Sequence, residues 1–176
     1  GVQTCALPIS KRAMETRVAE LVNVYKRDNA FFVSEDTVDK TDMPLFFSAS
    51  YDLNANVFSI VDDVMYYAVS VYSYYGGAHG LTTLSYYNIN LRTGQSLTEQ
   101  DLFPQLSEQQ LSDKLQQALA DKMGVEVKDL TDEGFFVEDI KSNGNFYATD
   151  DSIVFHFNQY EIAHYAMGPV DISVKR

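Results

Sequence analysis

The chain predicts an α+β fold: a mainly antiparallel sheet with helices packed on one face. Three observations carry that expectation. Apolar and polar residues alternate with a period of two from Ala49 to Val57, the pattern of a half-buried antiparallel strand. An unbroken aromatic and β-branched run follows over residues 64–75. A stripe at helical spacing, Leu111, Leu115, Ala118, Leu119 and Met123, lies well apart from these strands. The order is helix, strands, helix, strands, without the βαβ alternation that would announce a parallel sheet.

The elements follow in order. Residues 11–28 are expected to be helical, because Ala13, Arg17, Leu21 and Val24 or Tyr25 fall near one face with Val18 and Val22 beside it. Ser34 to Asp42 is polar and acidic, a loop before Pro44. Residues 45–60 form the first strand, with Ala49, Tyr51, Leu53, Ala55 and Val57 expected on its buried face. Asp62-Asp63 supplies a turn. Residues 64–75 then run as a central strand covered on both faces, Gly76-Gly77-Ala78-His79-Gly80 breaks it, and residues 81–91 return. Thr98 opens a capped helical turn. Ser107 and Gln110 form a capping box, and Gly124 stands where a terminating glycine belongs. Residues 125–144 are irregular, anchored by Phe135 and Phe136. Residues 146–149 and 152–158 pair across Asp150-Asp151, residues 160–167 make a knot of Tyr, Ile, Ala and His, and residues 170–175 give a last strand.

Composition narrows the partners. Twelve Tyr and 11 Phe in 176 residues supply the apolar surface for one domain over residues 10–176. A net charge of −12 repels phosphate backbones and anionic lipid, which excludes nucleic acid and suits a basic protein or a neutral glycan. No apolar run is long enough for a membrane-spanning helix. Residues 1–9 correspond to GGA GTT CAG ACG TGT GCT CTT CCG ATC, a short-read sequencing adapter. They are therefore expected to be translated adapter, and the natural chain to extend upstream. Cys5, the single cysteine, falls in that stretch, so no disulfide framework is expected.

The chemistry-bearing residues form no catalytic or metal motif in the sequence. The three histidines, His79, His156 and His164, have none of the spacings that build a zinc site. His156 is expected to be exposed or half-buried, opposite its strand's apolar face, and His164 to pack and hydrogen-bond inside the knot. No Gly-x-Ser-x-Gly elbow occurs, the glycine run lacks the lysine and following helix of a phosphate loop, and paired acids read first as turns. No catalytic residue, metal ligand or cofactor is assigned. The remaining candidates are contact residues. Tyr74, Tyr75, Gly76, Gly77, His79 and Gly80 make a glycine-rich bend between aromatic strands, and Tyr160, Glu161, His164 and Tyr165 sit in the knot. At the bend the simpler explanation is that a five-residue hairpin needs glycines and the His79 ring caps the turn.

Three segments together resemble a known family. They read YSYYGGAHG from Tyr72 to Gly80, YNINLRTGQSLTEQDLF from Tyr87 to Phe103, and FYATDDSIVFHFNQYEIAHYAMGPVDI from Phe146 to Ile172. Over residues 45–175 their order and spacing are similar to the C-terminal domain of the RsiV-type anti-sigma factors, a domain of unknown function in bacterial envelope proteins and lipoproteins. The resemblance implies an extracytoplasmic location, with any membrane attachment through an upstream anchor. It also implies a sensing or binding role, since the anti-sigma member binds lysozyme directly. Lysozyme is basic and this chain acidic, so their charges are complementary. The deacetylase domain that accompanies some relatives is missing here, so no activity carries over. The resulting expectation is a non-catalytic module binding a lysozyme-like protein or a wall-derived glycan. A wall-acting hydrolase using His79 or His164, and a purely structural accessory domain, are the alternatives.

Overall fold

The computed structural model describes residues 50–74 and 78–176. The expectations for residues 1–9, the helix over 11–28, the loop over 34–42, Pro44, residues 45–49, Tyr75, Gly76 and Gly77 lie outside the described residues.

The fold is α+β and mainly antiparallel, as the sequence predicts, but its strands divide into two three-stranded sheets. The first is a meander of β1 (Ser50–Val61), β2 (Val64–Tyr74) and β3 (Leu81–Asn90). Asp62 and Asp63 make its first turn, both at positive φ (50° and 61°), the backbone twist that lets a two-residue hairpin loop follow its strands. Two short-range ion pairs flank the turn, Asp62 with Arg176 at 2.7 Å and Asp63 with Arg92 at 3.3 Å. The second sheet is β4 (Phe146–Ala148), β5 (Ser152–Phe157) and β6 (Val170–Lys175), with β5 central.

In chain order, a one-turn helix α1 (Glu99–Leu102) and the long helix α2 (Glu108–Met123) follow the first sheet and precede the second. Both begin with reciprocal capping boxes, Thr98 with Asp101 and Ser107 with Gln110. Gly124 ends α2 in the left-handed conformation (φ 73°), which a Cβ would disfavour. The α2 stripe works largely as its spacing predicts. Leu111, Leu115, Leu119 and Ala120 are buried, while Met123 at the helix end is 37% exposed. They pack with Phe146, Phe155, Phe157, Ile172 and the anchor Phe135 in one continuous core, which Val64 and Tyr66 join from the first sheet.

Two burial expectations are overturned. Leu53 and Val57 are about half exposed (52% and 48%), so β1 does not bury the face its alternation suggests. The cause is position and register. β1 is the outer strand, and Leu53, Ala55 and Val57 pair with Val71, Val69 and Tyr67, on the face opposite Tyr66 and the core. A bulge at Phe58 then reverses the alternation, so that Ser59 and Val61 point coreward opposite Tyr66 and Val64. The second correction concerns His156, which is 6% exposed. Its strand is the middle of a sheet covered on both faces, by the core on one and by Tyr86 and Tyr147 on the other.

Candidate functional site

The two sheets are joined by asparagine side chains acting as a surrogate strand. On the β3 edge away from β2, the Tyr86 N–H donates to Asn145 Oδ1 (2.8 Å) and the Leu84 N–H to Asn158 Oδ1 (2.6 Å). The Leu84 carbonyl accepts from both amides, Asn145 Nδ2 at 2.8 Å and Asn158 Nδ2 at 3.2 Å. Asn145 is tied to β5 in turn, its carbonyl accepting from the His156 N–H at 2.8 Å. An edge that would otherwise present unpaired backbone groups is thereby satisfied.

The amide seam fixes the knot. Residues Asn158–Glu161 form a turn closed by the Glu161 N–H donating to the Asn158 carbonyl at 3.1 Å. Tyr160 occupies its third position with φ 71°, where turns of this kind ordinarily take glycine. The Glu161 carboxylate accepts at both oxygens, from Asn158 Nδ2 (Oε1, 3.1 Å) and Asn143 Nδ2 (Oε2, 3.1 Å). Both asparagines are held at the backbone as well, Asn143 through the His156 carbonyl at 2.9 Å. The carboxylate is thus clamped, exposed, and without a cationic partner among the described residues.

The hairpin bend meets the knot at one point. The His79 ring stacks on Tyr165, with centroids 3.8 Å apart and planes 17° from parallel. The Tyr165 hydroxyl donates to the Gly80 carbonyl at 3.3 Å. The Tyr160 ring also packs on Tyr165, with centroids 5.4 Å apart and planes tilted by 38°, so Tyr165 contacts both rings. Tyr160 is open to solvent, at 54% exposed. Gly80 needs no positive φ. A Cβ there would fall inside the Tyr72 ring, so close approach of backbone to aromatic ring accounts for the glycine. Next to the knot a cleft of about 290 Å³ is lined by Tyr86, Tyr87, Asn143, Asn158 and Glu161.

Of the sequence candidates, the structure gathers His79, Gly80, Tyr160, Glu161 and Tyr165. Tyr74 ends β2 opposite Ser50 and is half-buried. His164 stands apart. It is exposed but packs edge-on to Phe136 at 4.9 Å, in line with the packing expected for it, and makes no side-chain hydrogen bond among the described residues, contrary to the hydrogen-bonded position expected for it.

Sequence reasoning missed a second polar cluster around His156. Its Nδ1 donates to Asp171 at 2.7 Å, and its buried Nε2 has no hydrogen-bond partner among the described residues. Tyr86 packs edge-on to the His156 ring and against Tyr147, and Phe58 packs on both tyrosines. Burial pushes the Tyr86 hydroxyl up to about 12, with Tyr147 and Asp171 adding to the effect. Burial likewise raises Tyr147, with the negative charge of Asp171 adding to the effect. The three histidines therefore face three different aromatic partners. Among the described residues no group of three or more His, Cys, Asp or Glu is placed to hold a metal ion. A larger groove of about 570 Å³ lies between α1 and the start of α2, with Lys141 its only cation among the described lining residues. Glu99 anchors one wall by accepting from the Gly144 N–H at 2.6 Å and from Ser142 Oγ.

Comparison with known proteins places this geometry in context. Residues 100–176 match the family described as "Protein of unknown function (DUF3298)". Among curated proteins none matches the chain. The chain is similar to the crystal structure of a DUF3298 family member from Bacteroides fragilis, with TM-score 0.67 and 27% identity over 92% of this chain and 64% of that one. It shares the fold of a DUF3298 family protein from Pseudomonas aeruginosa, with TM-score 0.53 and 21% identity over 72% of this chain and 58% of that one. The chain thus spans less than two thirds of the length of either solved structure.

Proposed function

We propose that this chain is a non-catalytic, extracytoplasmic binding module of a bacterial envelope protein, docking a basic protein of the lysozyme kind on its bend-and-knot surface. The observation that carries the reading is the stack of His79 on Tyr165. It holds two segments 85 residues apart in sequence, linked by the Tyr165–Gly80 hydrogen bond, as one exposed aromatic surface beside a fixed acid. Aromatic rings with polar tips are the side chains that anchor protein interfaces. A net charge of −12 draws a basic partner toward it and speeds encounter. The resemblance to the anti-sigma domain, whose member binds lysozyme, points the same way. A catalytic reading has less support, because no histidine lines either the cleft beside the knot or the groove at α1.

The test is calorimetric titration of the chain with lysozyme and, separately, with soluble peptidoglycan fragments at moderate salt. Saturable lysozyme binding that weakens as salt rises is the expected result. Binding of the fragments alone would move the ligand to the wall glycan, with the amide-lined cleft as its seat. Silence in both arms, with no shift of the thermal midpoint, would remove the reading.

A further inference from the structure

We propose that Glu161, with the rings of Tyr160 and Tyr165, is a receptor for one arginine side chain of the protein partner; this rests on the binding reading above and names the chemistry of its central contact. The first observation is the clamp. Each Glu161 oxygen accepts one amide N–H, from Asn158 and from Asn143, and both amides are anchored to backbone carbonyls, at Leu84 and His156. An exposed carboxylate usually swings freely and loses rotamer entropy when a cation fixes it. This one is already oriented, and each oxygen keeps a further lone pair for a donor.

The second observation is independent of the first. Tyr160 adopts a left-handed backbone conformation, φ 71°, in a turn position suited to glycine. Strain of that sort persists where the surrounding structure or a function demands the side chain. The Tyr160 ring is not needed for the core, since it is 54% exposed and lies outside the buried cluster. It packs at a tilt on Tyr165, which also stacks with His79, with ring centroids 5.4 Å apart. Clamped acid and open ring are successive residues. A guanidinium can lay its face on an aromatic ring while its edge donates to a carboxylate, whereas an ammonium is a point charge with no such division. The acidic field of the chain enriches cations at this surface.

The experiment follows the tyrosine ring signals of the full chain by NMR during titration with N-acetyl-arginine amide, N-acetyl-lysine amide and N-acetyl-citrulline amide. The arginine probe should shift the Tyr160 and Tyr165 signals saturably, the lysine probe more weakly, and the uncharged citrulline probe not at all. Glu161→Gln keeps an acceptor oxygen for only one of the two asparagine donors, removes the charge, and should weaken the arginine response on the order of tenfold. Tyr160→Gly should lose the response while holding or raising the thermal midpoint, which a merely structural tyrosine would not do. Equal shifts with citrulline, or an undiminished arginine response in Glu161→Gln, would overturn the receptor. Lysozyme that binds parent and Glu161→Gln alike would also overturn it while leaving the docking surface in place. An arginine response without lysozyme binding would support the receptor and remove lysozyme as the partner.

Discussion

Tyr86 and His156 carry the sharpest consequences at the scale of single residues. The Tyr86 hydroxyl, held in its neutral form mainly by burial, ionises near 12 in the fold against 10.0 in the free side chain. A raised value means the unfolded chain releases that proton first. The stabilising contribution is therefore complete below pH 10 and is lost as pH climbs towards 12. Tyr86→Phe should flatten the alkaline loss of stability in that window, as read from denaturant midpoints measured on either side of pH 10. An unchanged alkaline slope would mean that another group sets it. His156 shows why residue-level reading fell short. Alternation along Ile153–Phe157 correctly placed it opposite Phe155, but one strand's pattern cannot reveal that a second sheet's Tyr86 covers the other face.

At the scale of elements, the amide seam and the caps can be tested separately. Asn145→Ala removes the acceptor of the Tyr86 N–H and one of two donors to the Leu84 carbonyl, leaving the part-buried Tyr86 N–H without its partner while Asn158 still serves Leu84. The expected cost is about 1–3 kcal/mol, with faster amide exchange at Tyr86 as the local signature. At α1, Asp101 accepts from both the backbone N–H and the hydroxyl of Thr98, each at 2.8 Å. These bonds hold its carboxyl below the usual 3.8. A lowered value gives stability that is present above pH 3.8 and fades as pH falls through the folded-state value. The stability gap between the parent and Asp101→Asn should therefore close in acid. A gap that persists in acid would contradict the cap assignment. Helices and turns were legible in the sequence because caps and glycines are local signals: Ser107, Gln110 and Gly124 bound α2 as the pattern predicts. The seam was not legible. Asn143 falls in the irregular stretch and Asn158 at the end of the strand over residues 152–158, and nothing local says that the Asn145 and Asn158 amides replace a strand.

Over the whole molecule, one core joins α2 to both sheets, so it should fail as a unit. Leu115 is fully buried at its centre. Leu115→Ala should cost about 2–5 kcal/mol and lower the unfolding midpoint seen by far-ultraviolet and aromatic signals together. Separate transitions for the two signals would show that the sheets unfold independently. The α+β class was legible because periods of two and of 3.6 separate strands from helices. The division into two sheets and the outward β1 were not, since which strand lies outermost depends on pairings far apart in the chain. The bend and the knot were each legible as aromatic clusters. Their contact through His79 and Tyr165 exists only once both sheets are in place.

The docking surface itself is tested most directly by hydrogen–deuterium exchange of the chain with and without saturating lysozyme. The account predicts slowed exchange confined to residues 78–81 and 158–167, where His79, Tyr160, Glu161 and Tyr165 meet. Protection elsewhere, with those two segments exchanging as fast as in the free protein, would contradict it.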